Sequence, residues 1–184
     1  MMNSRLNHLL EEYADLERGV QGLISAQCRE TCELCTARCC RADICEEALD
    51  SPFLQTLHGH TELESDRCGF LTEYGCSLEI GRPPVCYEFF CEEILESQPD
   101  ELHRDVLRIL GRLPAFAGEQ AHGKTHLVEI MQEDRLEKLN FQTLEKRLHQ
   151  SFRMLEIIRT FYIEGTLPED ACKTLRQIPV SAGA

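Results

Sequence analysis

The chain has no run of lysine or arginine, no long apolar stretch, and almost no cysteine over 120 of its 184 residues. Its 19 Lys and Arg face 32 Asp and Glu, giving a net charge of −13 and a pI near 5.0. An acidic excess of this size repels phosphate backbones, and no basic cluster offsets it, so the charge disfavours nucleic acid as a partner. No segment approaches the roughly 20 apolar residues that a membrane-spanning helix needs. The opening MMNSRLNHLLEEYADLERG is too acidic and too interrupted for a secretory signal. The expectation is a cytoplasmic protein with no membrane partner. Internal repeats and low-complexity segments are also lacking. With 42% hydrophobic residues, the length fits one globular domain, or a small metal-stabilised unit continuous with a helical one.

Cysteine is present in one place. Ten of the eleven lie between Cys28 and Cys91, in two blocks: CRETCELCTARCCRADIC (Cys28 to Cys45) and CGFLTEYGCSLEIGRPPVCYEFFC (Cys68 to Cys91). A reducing compartment keeps thiols unpaired or metal-bound, and an odd number cannot pair completely within one chain, so metal ligation is favoured over a disulfide framework. The 28–91 segment is poor in bulky apolar residues for its length. A structural zinc site contributes on the order of 10–16 kcal/mol against a domain stability of about 5–15, so metal would decide whether such a segment folds.

Around this segment the pattern is helical. Leu6, Leu9, Leu10, Tyr13, Leu16, Val20, Leu23 and Ile24 recur at three-and-four spacing, which predicts an amphipathic helix capped by Asn3 or Ser4. The same phase runs into Cys28, Cys32, Cys35 and Cys39, and a continuing helix would align those four thiols. Ser51 and Pro52 predict the N-cap and first residue of a short helix through Leu57. Residues 68–76 read as a small hairpin around Glu73-Tyr74-Gly75. Gly81, Arg82, Pro83 and Pro84 forbid a helix before Cys86 and Cys91 open the next one. A cap signature at Ser97, Pro99 and Asp100 begins a helix whose apolar face runs from Leu102 to Leu113 and ends at Pro114. His122 and His126 fall in a loop interrupted by Gly123. Phe141 to Tyr162 forms the longest stripe, stopped at Gly165, and a last helix spans Pro168 to Ile178 with Cys172 near its apolar face. His58 and His60 sit in a polar stretch and are left out of the candidate site.

The expected fold is mainly α: a cysteine-rich, metal-stabilised unit with irregular loops and at most a small hairpin, packed with a helical bundle. Three regions follow: an N-terminal amphipathic helix (1–27), a cysteine-cluster metal-binding region (28–96) and a C-terminal helical region (97–184).

Thiolates suit Zn²⁺, iron–sulfur clusters and Cu(I), and exclude Mg²⁺ and Ca²⁺. The Cys32-x-x-Cys35 step chelates in zinc ribbons and iron–sulfur proteins alike, so spacing alone does not choose. Cys39 and Cys40 would project about 100° apart on a helix of roughly 3.6 residues per turn, and so serve different metals or different edges of one cluster. Two decoys fail. Cys28, Cys32 and Cys35 match the bare radical SAM spacing, but Leu34 stands where an aromatic is usual and no alternating strand and helix units follow. The ferredoxin run lacks its third cysteine spacing and its proline.

The ordered set Cys32-x-x-Cys35-x-x-x-Cys39-Cys40, Cys68, Cys76, Arg82-Pro83-x-x-Cys86 and Cys91 resembles the YkgJ-type cysteine-cluster family, described as a zinc- or iron-chelating domain. The resemblance covers about residues 28–91. It implies that Cys32, Cys35, Cys39, Cys40, Cys68, Cys76, Cys86 and Cys91 chelate zinc or iron, with an Fe–S cluster among the options. It assigns nothing to Cys28, Cys45 or the helical tail, and Tyr87 departs from the basic residue expected after Cys86.

The leading expectation is therefore a metal-binding protein whose partner is a metal ion, held by those eight cysteines. Two alternatives stand beside it. A similar cysteine cluster in flagellin lysine methylases implies an enzyme, against which no Gly-rich loop follows a strand to hold S-adenosylmethionine. A thiol redox sensor would use Cys28 and Cys45, with Arg29, Arg38 and Arg41 lowering their pKa. The C-terminal helices, above all 141–164, are the candidate surface for a protein partner or homo-oligomer.

Overall fold

A computed structural model of the full chain describes residues 4–35, 41–59, 70–72 and 75–179. Among these the architecture is mainly α. The helices are α1 (Ser4–Leu34), α2 (Ala42–Asp50), α3 (Pro52–Leu57), α4 (Val85–Glu88), α5 (Glu92–Glu96), α6 (Glu101–Gly118), α7 (Glu133–Leu136), α8 (Phe141–Glu164) and α9 (Glu169–Leu175), with a 3₁₀ turn at Leu127–Glu129. Two short strands, β1 (Leu71–Thr72) and β2 (Gly75–Cys76), pair antiparallel with Leu71 opposite Cys76, which is the small hairpin that the Gly75 turn signal predicts.

The core is a three-helix layer in which α1, α6 and α8 all pack on one another. Each brings the stripe its sequence carries. From α1 come Leu6, Leu9, Tyr13, Leu16 and Val20, from α6 Val106, Leu107, Leu110 and Leu113, and from α8 Leu144, Leu148, Leu155, Ile158 and Phe161. The Tyr13 and Phe53 rings meet edge-on, with centroids 5.1 Å apart, and tie α3 to this core. Ser51 caps α3 by accepting from the Leu54 N–H, Asp100 caps α6 through the His103 N–H, and α8 stops at Gly165, as the local signals predict.

Two elements depart from expectation. The fourfold alignment of Cys28, Cys32, Cys35 and Cys39 on one helix does not form: α1 ends at Leu34, so Cys35 already lies beyond it, and Cys39 lies outside the described residues. In the other direction, α6 does not end at Pro114 but continues to Gly118. Proline removes the amide that would bond to the carbonyl four residues back. The extra turn nevertheless buries Ala115, Phe116 and Ala117, and the Tyr13 hydroxyl donates to the Pro114 carbonyl at 3.0 Å, so packing outweighs the lost bond. His122 and His126 fall in a loop as expected. His126 is a structural residue there, its Nε2 lying 2.7 Å from the Ala115 carbonyl oxygen and its Nδ1 accepting from the Val128 N–H.

The boundary at residue 27 falls inside α1, so the bundle and the cysteine-rich region share one helix. A second link is the approach of α6 to the Tyr87–Phe90 backbone. A Cβ on Gly111 would stand 2.2 Å from the Tyr87 carbonyl oxygen and 2.9 Å from Phe90 Cε2. Replacing a helical glycine by alanine normally stabilises by about 0.5–1 kcal/mol. At Gly22, where nothing lies within 4 Å of the added Cβ, Gly22→Ala is expected to raise the urea midpoint. At Gly111, Gly111→Ala is expected to lower it, with a net loss of roughly 1–3 kcal/mol from overpacking against backbone. Equal shifts of the same sign in urea unfolding would show that α6 does not approach Tyr87 this closely.

Candidate metal centre

Three separate segments bring thiols of the expected set to one place, and α2 adds Cys45. The last turns of α1 carry Ile24, Cys28 and Cys32, which follow one another at four-residue steps and therefore share a face. β2 carries Cys76. The irregular Gly81–Pro84 stretch turns the chain into α4, which carries Cys86, and Cys91 stands at the N-cap of α5. The expected single helix opened by Cys86 is two short ones, broken at Phe89–Phe90.

These elements enclose a cavity of about 450 Å³. Cys28, Cys32, Cys45, Cys76, Cys86 and Cys91 all line it, with Phe70, Leu78, Val85 and Phe90 among the apolar wall residues and Arg41 and Arg82 among the polar ones. Of the eight cysteines in the expected chelating set, Cys32, Cys76, Cys86 and Cys91 are thus brought together. Cys35 is exposed and is not among the cavity-lining residues, while Cys39, Cys40 and Cys68 lie outside the described residues. Among the described residues no three Cys, His, Asp or Glu side chains stand close enough together to hold a metal ion.

Cys28 and Cys45, which the spacing pattern leaves out, are buried members of this wall. Burial pushes the Cys28 thiol up to about 12, and the neighbouring Cys32 and Cys91 thiols push it the same way. A reactive sensor thiol needs the opposite shift. Arg41, which was to lower these pKa values, pairs instead with Asp43 through its guanidinium. His58 lies 3.1 Å through Nε2 from the Ala48 carbonyl oxygen, holding α3 to α2, and His60 lies outside the described residues.

The wall is anchored from the bundle by Glu17. This residue sits in the apolar phase of α1, one turn after Tyr13, and is fully buried. Its Oε2 accepts from the Gly81 N–H at 2.6 Å. Gly81 has φ of 76°, and a Cβ there would stand 2.9 Å from the Leu54 carbonyl oxygen, so both backbone shape and space require glycine. Arg82 donates from Nε to the Leu78 carbonyl at 2.7 Å, and the Gln21 amide, oriented by its partners, bridges the Glu79 carbonyl and the Arg82 guanidinium at 2.7 Å each. The Arg-Pro pair therefore shapes the cavity wall by fixing the loop. Tyr87 lies against Glu17 in the same buried cluster, with its hydroxyl and Glu17 Oε1 lacking standard hydrogen bonds among the described residues. Burial drives the Tyr87 phenol well above its ordinary range. A carboxylate inside an apolar stripe reads as an interruption, so spacing does not mark Glu17 as a site residue. Its phase, four residues after Tyr13, was the available signal.

No family model, curated protein or solved structure matches this chain. The likeness to the YkgJ-type family rests on the cysteine and Arg-Pro spacing alone.

Burial raises the Glu17 carboxyl from 4.5 to about 7, against the Gly81 hydrogen bond, which lowers it. The folded chain then holds a proton on Glu17 between about pH 4.5 and 7 that the unfolded chain releases, so this group's contribution to stability falls as pH rises through that window. The shift corresponds to about 3 kcal/mol. Glu17→Gln keeps an acceptor for Gly81 and removes the charge. Urea unfolding at pH 5 and pH 8 is expected to show the stability of Glu17→Gln relative to wild type rising by about that amount at the higher pH. A constant difference would place the Glu17 titration in the ordinary carboxylate range.

Proposed function

We propose that this protein binds zinc or iron through cysteine thiolates, the chelating set being Cys32, Cys35, Cys39, Cys40, Cys68, Cys76, Cys86 and Cys91. The observation that carries the reading is that Cys32, Cys76, Cys86 and Cys91, from three segments distant in sequence, line one cavity. Cysteine at that density is chemically a soft or borderline cation site. The remaining requirement is a complete ligand shell, which no three described donors supply alone and for which Cys35, Cys39, Cys40 and Cys68 are the other members of the set.

The residues fit such a group in donor type and in surroundings. Apolar neighbours such as Phe70, Leu78 and Phe90 share the wall with these thiols, of which Cys76 and Cys91 are half-buried and Cys32 and Cys86 exposed. Arg82 brings positive charge to the cavity, offsetting part of the negative charge that several thiolates would accumulate. When bound, the metal would supply cross-links between α1, the hairpin and the α4–α5 segment. The chain's own residues supply placement: Glu17, Gln21 and Arg82 hold the loop from which Cys86 and Cys91 follow. No helix among the described residues is long and apolar enough to cross a membrane.

The test is elemental analysis and a visible absorption spectrum of protein purified without air. Zinc gives metal without colour, and an Fe–S cluster gives iron with a visible band. Removing the metal with a chelator is expected to lower the thermal midpoint, because structural metal-binding free energy is folding free energy. Protein that contains neither zinc nor iron and gains no stability from either would refute the reading.

A further inference from the structure

We propose that Cys28 is a further ligand of this metal site, chelating in concert with Cys32 through their one-turn spacing on α1. The inference rests on the metal-binding reading above and goes beyond its eight cysteines, none of which is Cys28. A lone buried cysteine on a helix is ordinarily a small apolar residue. Three observations set Cys28 apart from that case.

The first is direction. Ile24, Cys28 and Cys32 all line the cavity, so the α1 face that enters it carries Cys28 one turn before Cys32. Side chains four apart on a helix have Cβ atoms about 5–6 Å apart, a span from which two sulfurs can reach one ion at Zn–S distances of roughly 2.3 Å. Cys35, the other chelating partner that spacing offers to Cys32, lies beyond the end of α1, exposed and off the cavity wall. The second is company. Cys28 lies within electrostatic reach of both Cys32 on α1 and Cys91 at the N-cap of α5, and all three line the cavity. The third is an unsatisfied donor. The Tyr162 hydroxyl on α8 is buried, has no hydrogen-bond partner among the described residues, and lies within electrostatic reach of Cys28. A buried phenol without an acceptor is costly, and a metal-bound thiolate is an acceptor. Cys172 supplies the contrast. It is partly buried on α9, its thiol donates to the Leu167 carbonyl at 3.7 Å, and it is not among the cavity-lining residues.

The experiment reads every cysteine of the full chain separately. Protein purified without air is compared, as isolated and after stripping with a chelator, by pulsed alkylation with mass-spectrometric assignment of each site. Metal is expected to slow alkylation of Cys28 by about tenfold or more, in proportion to Cys32 and Cys91 and beyond any change at Cys172, which reports general stabilisation of the fold. Cys28→Ala and Cys28→Ser are expected to lose metal to a competing chelator at concentrations about tenfold lower than wild type, with Cys172→Ser unchanged. If metal protects Cys32 and Cys91 while Cys28 follows Cys172, the inference fails and the metal-binding reading survives. If no cysteine is protected and no metal is present, both fail. Should the Cys28 variants not fold, the wild-type protection ratios decide the matter alone.

Discussion

A single buried carboxylate joins the two halves of this molecule. Glu17 leaves water on the inner face of α1 and has Gly81 as its hydrogen-bond donor, at 2.6 Å. Burying a carboxylate is unfavourable unless it is neutralised or well bonded, and here its proton affinity rises to about 7. The bond helps to hold a loop that has few partners of its own. Gly81 has a backbone conformation open mainly to glycine, and two prolines follow within three residues, so the stretch can form neither helix nor ladder to satisfy itself. Glu17, Gln21 and Arg82 do for this loop what a strand partner does elsewhere.

From that anchor the thiol cavity follows. The loop delivers Cys86 and Cys91 to one wall, and Gly111 lets α6 come against the Tyr87–Phe90 backbone behind them. The far end of α1, the same helix that carries Glu17, lines the same cavity. A rigid rod whose first half packs in a three-helix core thus aims Ile24, Cys28 and Cys32 into the cavity. Because both walls are referenced to α1, thiols 60 residues apart in sequence are placed by one element. Burial pushes the Cys28 thiol up, so that this thiol keeps its proton in the absence of a cation. Soft cations displace such protons more readily than hard ones find oxygen here.

Some elements were legible from local signals because the signals are themselves local physics. The α1 and α8 stripes, the Ser51–Pro52 cap, the Gly75 turn and the Gly165 stop each depend on a few neighbouring residues. Where a distant partner intervened, local signals misled. Pro114 reads as a helix end, and α6 passes through it because Phe116 is buried and Tyr13, from α1, reaches the Pro114 carbonyl. The cysteine phase reads as one continued helix, and α1 stops at Leu34 before Cys35.

The sequence by itself determined the helical class and the concentration of thiols between residues 28 and 91, since periodicity and composition are properties of the chain before it folds. Only the tertiary structure decided which thiols share a cavity. It placed Cys32, Cys76, Cys86 and Cys91 together, added the buried Cys28 and Cys45, and left Cys35 outside. Spacing says which ligands can be near in the chain. Burial of an apolar stripe and of one carboxylate says which face of each helix turns inward, and for a thiol that direction is what separates a cavity wall from solvent.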